Sequence, residues 1–268
     1  MKWLRTLVKA NTSAGLRRTL REARFEFYLQ RRHRAGVKRA RELARVRPLR
    51  LNLGSGFRPR AGWINVDLSQ GSDLALDLRQ KLPFDNSTVD AIYSEHFFEH
   101  LSYPNLDDST AWRLETPGGP SEALTFLREC WRVLAPGGML DLVVPDTEGM
   151  LELYIGRRQT PFPLHTWWGP KWCDTPLHCV NYLFRQGREH KYAYDEETLT
   201  RVLESVGFVD VRRRPFDPAR DADNHAIGSL CMEAIKPTRA HAPPWTERPA
   251  VLAPEHAGAA AASATRMS

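Results

Sequence analysis

Short apolar runs rich in Leu, Val and Ile alternate with polar and glycine-containing segments from about residue 49 onward. Runs of this kind are typical of strands buried in a sheet. A segment between two such runs that has apolar residues at helical spacing is typical of an α/β protein. The sequence therefore predicts a doubly wound, mostly parallel sheet. We expect its strands at residues 50–54, 62–67, 73–76, 89–94, 139–144, 208–213 and 229–235.

Two segments have apolar residues at helical spacing. Residues 121–134 carry Leu124, Leu127, Trp131 and Leu134 before a Pro-Gly-Gly stop, which predicts a helix that leads into the fifth strand. Residues 13–46 carry Leu16, Leu20, Ala23 and Phe27 with arginines between them, which predicts a basic amphipathic helix.

The first strand runs directly into a Gly-x-Gly turn, Gly54-Ser55-Gly56, and the second ends at Asp67. Such a turn lets the backbone approach a ligand closely, and an acid at the end of the next strand can bind the two hydroxyls of a ribose. A dinucleotide site needs a third glycine where this chain has Pro59, and its acid comes about 20 residues on. A nucleoside cofactor without a pyrophosphate fits better than a nicotinamide dinucleotide.

Together these segments resemble the class I S-adenosylmethionine-dependent methyltransferases, in particular small bacterial proteins with a type-11-like methyltransferase domain. The resemblance spans roughly residues 50–237. It rests on LNLGSG at 51–56, GWINVDLS at 62–69, Asp77-Leu78, VDAIYSEHFFEHL at 89–101, LRECWRVLAPGGMLDLVVPD at 127–146 and HKYAYDEETLTRVLESVGF at 190–208.

The resemblance implies a Rossmann-like seven-stranded sheet with an antiparallel last strand, and S-adenosylmethionine as the cofactor. It implies that the turn passes the methionine part, that Asp67 binds the ribose and that Asp77 contacts the adenine. The fourth strand would end beside the methyl donor. The predicted cofactor-binding residues are Gly54, Ser55, Gly56, Asp67, Leu68, Asp77, Leu78, Ser94 and Glu95.

Two histidines follow the fourth strand at helical spacing, His96 and His100, and both are candidate catalytic residues. A neutral imidazole can take a proton from an acceptor hydroxyl or amine. The alternative is that one or both cap a helix or hydrogen-bond the fold. We predict no metal site, because the sequence places no third ligand beside this pair. Asp146 either lines the acceptor side or, as we slightly favour, caps a helix over 147–155.

Charge is concentrated at the N-terminus. Residues 1–50 contain 16 Lys and Arg against 3 acidic residues, a net charge of +13, whereas the remainder carries −7. We predict a basic helical arm, 1–48, that packs on the catalytic domain or contacts an anionic membrane surface or a partner protein. Nucleic acid is disfavoured as a partner because no recognised binding motif accompanies the charge. No signal or membrane-spanning segment is evident, and the four cysteines lack a disulfide pattern, so we expect a cytoplasmic protein, with a peripheral membrane position left open.

The catalytic domain is expected at 49–237, followed by a disordered Pro- and Ala-rich tail at 238–268. Within the domain, residues 160–194 form an aromatic-rich insertion that either roofs a substrate pocket or packs as a separate apolar cluster. Cys173, His178 and Cys179 lie there, but their spacing matches no common zinc site. An aromatic roof suits a small-molecule or glycan-type acceptor.

The sequence therefore predicts a methyltransferase acting on oxygen, nitrogen or carbon of such an acceptor. The main alternative is a protein that binds the cofactor without turnover and acts as a partner or regulator through its arm. A nucleotide-dependent oxidoreductase is a third, disfavoured by Pro59 and the short first crossover.

Overall fold

The computed structural model describes residues 12–103, 121–158, 169–226 and 228–238. The predicted tail beyond 238, residues 1–11 of the arm and residues 160–168 of the aromatic insertion lie outside these ranges. The insertion residues Phe162, His165, Trp167 and Trp168 are among those outside.

Helices and strands alternate after a long N-terminal helix. The helices are α1 (Ala14–Leu43), α2 (Glu122–Val133), α3 (Thr147–Gly156), α4 (Pro176–Arg185) and α5 (Glu196–Val206). The strands are β1 (Arg50–Leu53), β2 (Ile64–Val66), β3 (Val89–Glu95), β4 (Leu134–Pro145), β5 (Val209–Arg214) and β6 (Ser229–Ile235). Short 3-10 turns cover Phe98–His100, Gln186–Arg188 and Asp223–His225.

The six strands form one sheet in the order β2-β1-β3-β4-β6-β5. The first four pair in parallel, and β6 runs antiparallel to both β4 and β5. This is the Rossmann-like, doubly wound sheet that the sequence predicts, including the antiparallel last strand. Because β1 has neighbours on both sides that follow it in the chain, the strand order reverses there, and ligands of such sheets bind at that point.

The predicted strand at 73–76 is wrong, and the sheet has six described strands instead of seven. Residue Leu74 makes only an isolated bridge to Val66. Leu74 and Leu76 are nevertheless buried, because α1 crosses this segment at Gly36, where a Cβ atom would come within 2.2 Å of the Ala75 carbonyl oxygen. Their apolar pattern thus reflects cover by a helix and not pairing in a ladder.

The predicted helix at 121–134 is confirmed as α2, which begins after Ser121, whose hydroxyl accepts from the Leu124 N–H at 3.2 Å. It ends at Val133, before the Pro-Gly-Gly segment, which belongs to β4. The Trp131 indole N–H donates to the Gly207 carbonyl at 3.1 Å and links α2 to the end of α5. Both helices bury their apolar faces in the main core.

Helix α1 has two different halves. Its second half contributes buried Leu29, His33 and Ala40 and packs against the segment between β2 and β3. Its first half exposes Leu20 and Phe27, with 58% and 68% of their surface accessible. Among the described residues, no helix is long and apolar enough to cross a membrane.

Candidate functional site

The glycine turn after β1 lies at the carboxyl edge of the sheet, beside the reversal in strand order. Gly54 and Gly56 both have positive φ, +71° and +52°, which strongly favours glycine. A Cβ on Gly54 would lie 2.4 Å from the side chain of Phe97, whereas one on Gly56 would meet nothing within 4 Å. Gly54 therefore allows close packing of protein on protein, and Gly56 borders open space.

Asp67 holds this turn in place. The Gly56 N–H donates to its Oδ2 at 3.0 Å, and the Ser69 N–H donates to its Oδ1 at 2.6 Å. The Ser55 N–H donates to the Val66 carbonyl at 3.2 Å, which brings the turn against the end of β2. A carboxylate has about four acceptor positions, so Asp67 keeps one on each oxygen for a ligand with two hydroxyls.

Asp77 has a much fuller set of partners. Its carboxylate accepts from the Arg79 backbone N–H, from two Arg79 guanidinium nitrogens and from the Gln80 amide, at 2.9–3.1 Å. Burial by itself raises the pKa of Asp77, but these hydrogen bonds outweigh it and leave the pKa below its ordinary value. All of its acceptor positions are occupied, so an adenine amino group would have to replace one partner. Leu78 beside it is buried in the core.

The end of β3 carries Ser94 and Glu95. Ser94 is fully buried, and its hydroxyl has no hydrogen-bond partner among the described residues. Glu95 accepts from the Ala222 N–H at 3.0 Å and from the His225 ring at 2.8 Å. Burial raises the pKa of Glu95, but these hydrogen bonds outweigh it, and the pKa lies below its ordinary value. Glu95 thus anchors the 222–225 segment over the end of β3.

His96 and His100 do not share the face of one helix, contrary to the expectation from their spacing. The His96 N–H donates to the Val143 carbonyl at 2.9 Å and extends the pairing of β3 with β4, and its φ is +50°. Only then does the chain enter the short 3-10 turn that ends at His100. Because pairing with β4 continues through His96, the helical turn starts only at Phe98, and the two histidines do not lie one α-helical turn apart.

The two histidines instead meet at the side chain of Glu99, which is 2% exposed. Glu99 Oε1 lies 3.4 Å from His96 Nδ1, 3.9 Å from His100 Nε2 and 3.8 Å from His190 Nε2. Burial raises the pKa of Glu99, but the three facing imidazoles outweigh it and hold the carboxyl below its ordinary pKa. Burial lowers the pKa of His190 by more than Glu99 raises it. We call these four residues the Glu99 cluster.

His96 has a second partner on its other ring nitrogen. Its Nε2 lies 3.0 Å from the Ser229 hydroxyl at the start of β6, and its ring centroid lies 3.9 Å from that of His225. His96 is therefore held between a buried carboxylate and a hydroxyl. Since Phe97 packs on Gly54, this arrangement adjoins the glycine turn.

Asp146 caps a helix, as the sequence slightly favoured. Its Oδ1 accepts from the Gly149 N–H at 3.0 Å at the start of α3, and its Oδ2 accepts from Arg213 at 2.9 Å. Both oxygens thus have structural partners.

Aromatic side chains in the described part of the insertion lie in two places, the main core and a small separate core. Tyr194 is buried in the main core and stacks on Phe98 at 4.9 Å between ring centroids. Trp172 is 60% exposed and contacts Tyr182 beside a small separate core. That small core contains Cys173 and Cys179, whereas the exposed side chain of His178 pairs with Asp174 at 2.9 Å. Within the described residues these three do not form a metal-ligand group.

Sequence reasoning missed His190, His225 and Ser229 as neighbours of the predicted catalytic residues. Glu99 was noticeable only for its spacing from Glu95. No local pattern marks the three others, because each comes from a segment about 90 or more residues away from the end of β3. Their proximity depends on the order of the strands.

A family model described as a methyltransferase domain matches residues 64–142. No curated protein matches the chain. The match begins at β2 and ends within β4, so it includes Asp67, Asp77 and the segment from Ser94 to His100.

Several solved structures are similar to the chain at low sequence identity. One is a phosphoethanolamine N-methyltransferase of Haemonchus contortus with S-adenosyl-L-methionine, at 12% identity and a TM-score of 0.40; 76% of this chain covers 52% of that one. Another is a methyltransferase of Archaeoglobus fulgidus, at 15% identity and a TM-score of 0.39, with 76% and 94% covered. A third comes from a complex with the Haloferax volcanii methyltransferase activator Trm112, at 14% identity and a TM-score of 0.38, with 80% and 93% covered.

The matched residues include the predicted ribose and adenine contacts, Asp67 and Asp77, and the order and directions of the six described strands agree with a doubly wound sheet whose last strand is antiparallel. Residues 64–142 therefore match a methyltransferase domain, set in a sheet of Rossmann-like topology, and S-adenosylmethionine is the cofactor that such a domain uses.

Proposed function

We propose that the protein transfers the methyl group of S-adenosylmethionine to a small-molecule or glycan-type acceptor, and that His96 takes the acceptor proton. One observation carries the proposal. His96, held between Glu99 and Ser229, directly precedes Phe97, which packs on Gly54 of the glycine turn.

The cofactor contacts follow from the free positions around the turn. Gly56 borders open space, so the methionine part passes there, and Ser55 and Leu68 are the chain neighbours of Gly56 and Asp67 at this point. Asp67 accepts from the two ribose hydroxyls with the acceptor positions that the turn leaves unused. Adenine lies at Asp77 and Leu78 and replaces one partner of the Asp77 carboxylate. Ser94 and Glu95 close the site from the end of β3.

The cofactor supplies an electrophilic methyl group on a sulfonium, so the residues of the chain need to align the acceptor, exclude water and remove a proton. Glu99 faces His96 Nδ1 and favours a proton there, which leaves Nε2 able to accept one. At present Nε2 meets the Ser229 hydroxyl. An acceptor hydroxyl or amine that takes the place of this hydroxyl would give its proton to Nε2 as the methyl arrives. His100, whose side chain is 28% exposed, is the second candidate.

The acceptor class rests on the aromatic side chains around this point. The Tyr192 N–H donates to the Glu99 carbonyl at 3.2 Å, and the Tyr103 ring lies 5.2 Å from the Tyr192 ring between centroids, with the buried Tyr194 behind them. Flat aromatic faces stack well on sugar rings and aromatic acceptors.

For the arm, we propose that the first half of α1 contacts an anionic membrane surface. It presents Leu16, Leu20 and Phe27 as exposed apolar side chains among arginines, which is the composition of an interfacial helix. The second half packs on the domain, so deleting the arm would remove core residue Ala40. The appropriate test is therefore Leu20→Glu with Phe27→Glu, which we expect to abolish sedimentation with anionic vesicles while the wild type sediments. Equal sedimentation of both proteins would contradict the proposal.

The enzymatic proposal is tested by transfer of a labelled methyl group from S-adenosylmethionine to a panel of glycans, nucleotide sugars and aromatic acids. We expect one acceptor class to be labelled, and His96→Gln to lower kcat about 100- to 10,000-fold with the cofactor Kd unchanged. His178 is an exposed histidine beside the separate core, so His178→Gln is the matched control and should keep wild-type kcat. Cofactor binding without transfer to any acceptor would favour the alternative, a cofactor-binding protein without turnover.

A further inference from the structure

The Glu99 cluster brings together side chains that can ligate a metal. Among the described residues, Glu99, His100 and His190 form the one group of three such residues whose ligand atoms all lie within 4.8 Å of one another. Two imidazole nitrogens and one carboxylate oxygen are a donor set suited to zinc and its first-row neighbours.

The hydrogen-bond partner of His190 fixes which ring nitrogen carries the hydrogen. His190 Nδ1 lies 2.5 Å from the Leu183 carbonyl oxygen, and a carbonyl can only accept, so Nδ1 carries the hydrogen. In the neutral ring Nε2 then has a lone pair, and this nitrogen lies 3.8 Å from Glu99 Oε1. Two acceptors thus face each other in a buried place. A histidine that donates its other N–H to a backbone carbonyl is the usual arrangement for a metal ligand.

The carboxylate of Glu99 has no close hydrogen bond among the described residues. Both carboxylate oxygens are buried, and His96 Nδ1 lies 3.4 Å from Oε1, longer than a good charge-assisted hydrogen bond. Buried carboxylates are normally hydrogen bonded, paired or bound to a metal. A cation bound at Oε1 would give this carboxylate the close partner that it lacks.

The distances from Glu99 to His100 and His190 are too long for hydrogen bonds through a shared proton. Charge-assisted N–H to carboxylate hydrogen bonds draw the two atoms to about 2.7–2.9 Å. Glu99 Oε1 is 3.9 Å from His100 Nε2 and 3.8 Å from His190 Nε2. Ligands of a tetrahedral zinc ion lie about 3.3 Å apart, given Zn–N and Zn–O bonds of about 2.0–2.1 Å. Small side-chain rotations would close the remaining gap.

We propose that Glu99, His100 and His190 bind one divalent transition-metal ion, with a fourth position for water or an acceptor oxygen. The site lies beside His96, whose Nδ1 faces the same carboxylate oxygen. In this arrangement His100 is a ligand and not a proton acceptor. The proposal does not depend on methyl transfer, since metal binding is measured without cofactor or acceptor.

The experiment uses the full chain without a polyhistidine tag, stripped of metal and titrated with Zn²⁺ by calorimetry and with Co²⁺ by visible absorption. We expect one ion per chain and a Co²⁺ spectrum of nitrogen and oxygen ligands. His190→Ala and His100→Gln should each weaken Zn²⁺ binding by more than about tenfold. His100 is partly exposed, so its variant keeps the test valid if His190→Ala misfolds. His178→Ala, beside Cys173 and Cys179, should bind as the wild type does.

Three outcomes would overturn the proposal. One is no Zn²⁺ binding by folded wild-type protein. Another is binding that persists in the His100 variant but is lost in His178→Ala. The third is a sulfur-to-cobalt charge-transfer band, which would assign the ion to the cysteines of the separate core. Cofactor binding measured on the same samples distinguishes each of these from a failure of the proposed function.

Discussion

The proposed cofactor side and the proposed acceptor side of the site are built in different ways. The cofactor side is local: Gly56, Asp67 and Ser69 hydrogen-bond one another across at most 13 positions of sequence. The acceptor side is assembled from distant segments, because His96 meets Ser229 across 133 positions and Glu95 meets His225 across 130. The cofactor side forms from one strand, a turn and the next strand, whereas the acceptor side forms only when the whole sheet has assembled.

The difference has an energetic consequence. The glycine turn is held by hydrogen bonds from backbone N–H groups to Asp67. These hydrogen bonds form only while Gly54 and Gly56 keep their positive φ angles. The acceptor side depends on buried charges, since Asp221, which precedes the Ala222–His225 segment, pairs with Arg214 at 2.7 Å, and Arg214 also pairs with Asp141 at 2.7 Å. Damage to a buried pair should therefore affect the acceptor side through stability, whereas damage to the turn should affect binding.

The largest effect is expected for Arg214→Met. This change leaves the buried Asp221 without its cation and leaves Asp141 with only Arg220, at 3.6 Å, among the described residues, and it should lower the free energy of unfolding by about 3–5 kcal/mol. Denaturant titration measures it. The matched control is Arg212→Met on the same strand, because the Arg212 side chain is 60% exposed in its pair with Glu233 and should cost less than about 1 kcal/mol. Equal losses in the two variants would show that the buried pairs do not support the acceptor side.

The two glycines should respond differently to alanine. Gly54→Ala combines a positive φ with a clash against Phe97, so we expect a loss of about 2–4 kcal/mol in unfolding free energy. Gly56→Ala meets no protein atom and should lose only about 1–2 kcal/mol. If the cofactor passes Gly56, the smaller stability effect should come with the larger proportional loss of S-adenosylmethionine affinity. Unchanged affinity in Gly56→Ala would place the cofactor elsewhere.

A smaller effect is expected at Asp77, through pH. Its pKa is below the ordinary value of 3.8 in the folded protein, so its stabilisation is present above that pH and is lost as the pH falls through the folded pKa. The charges nearest to it are Arg79, His33 of α1, and Glu26 and Glu122 beyond Arg79. Asp77→Asn should lower stability by about 1.5–3 kcal/mol at neutral pH.

The same variant should flatten the fall in stability under acid conditions, measured by thermal unfolding from neutral to acid pH. Asp85→Asn, an exposed acid in the loop before β3, serves as the control and should change stability by no more than about 0.5 kcal/mol. A slope unchanged from the wild type in Asp77→Asn would contradict the assignment of this pH dependence to Asp77.

Local sequence pattern predicted the alternation of strands and helices and the glycine turn after β1, whereas the antiparallel last strand followed only from the family resemblance. Local pattern failed at 73–76, where helix α1 and not strand pairing buries Leu74 and Leu76. It also failed in the helical spacing of His96 and His100, because pairing with Val143 continues past Glu95. The convergence of His190 on Glu99 has no signal in the sequence, since it depends on how the loop before α5 crosses the end of β3.

The most direct test of the account is calorimetric titration of S-adenosylmethionine into the wild type, Asp67→Ala and the control Asp85→Asn. Asp67→Ala would remove the two charge-assisted hydrogen bonds proposed between the carboxylate and the ribose, worth about 1.5–3 kcal/mol each. We therefore expect Asp67→Ala to bind about 100-fold more weakly or worse, with the control unchanged and all three proteins folded by circular dichroism. Wild-type affinity in Asp67→Ala would contradict the placement of the cofactor at the glycine turn.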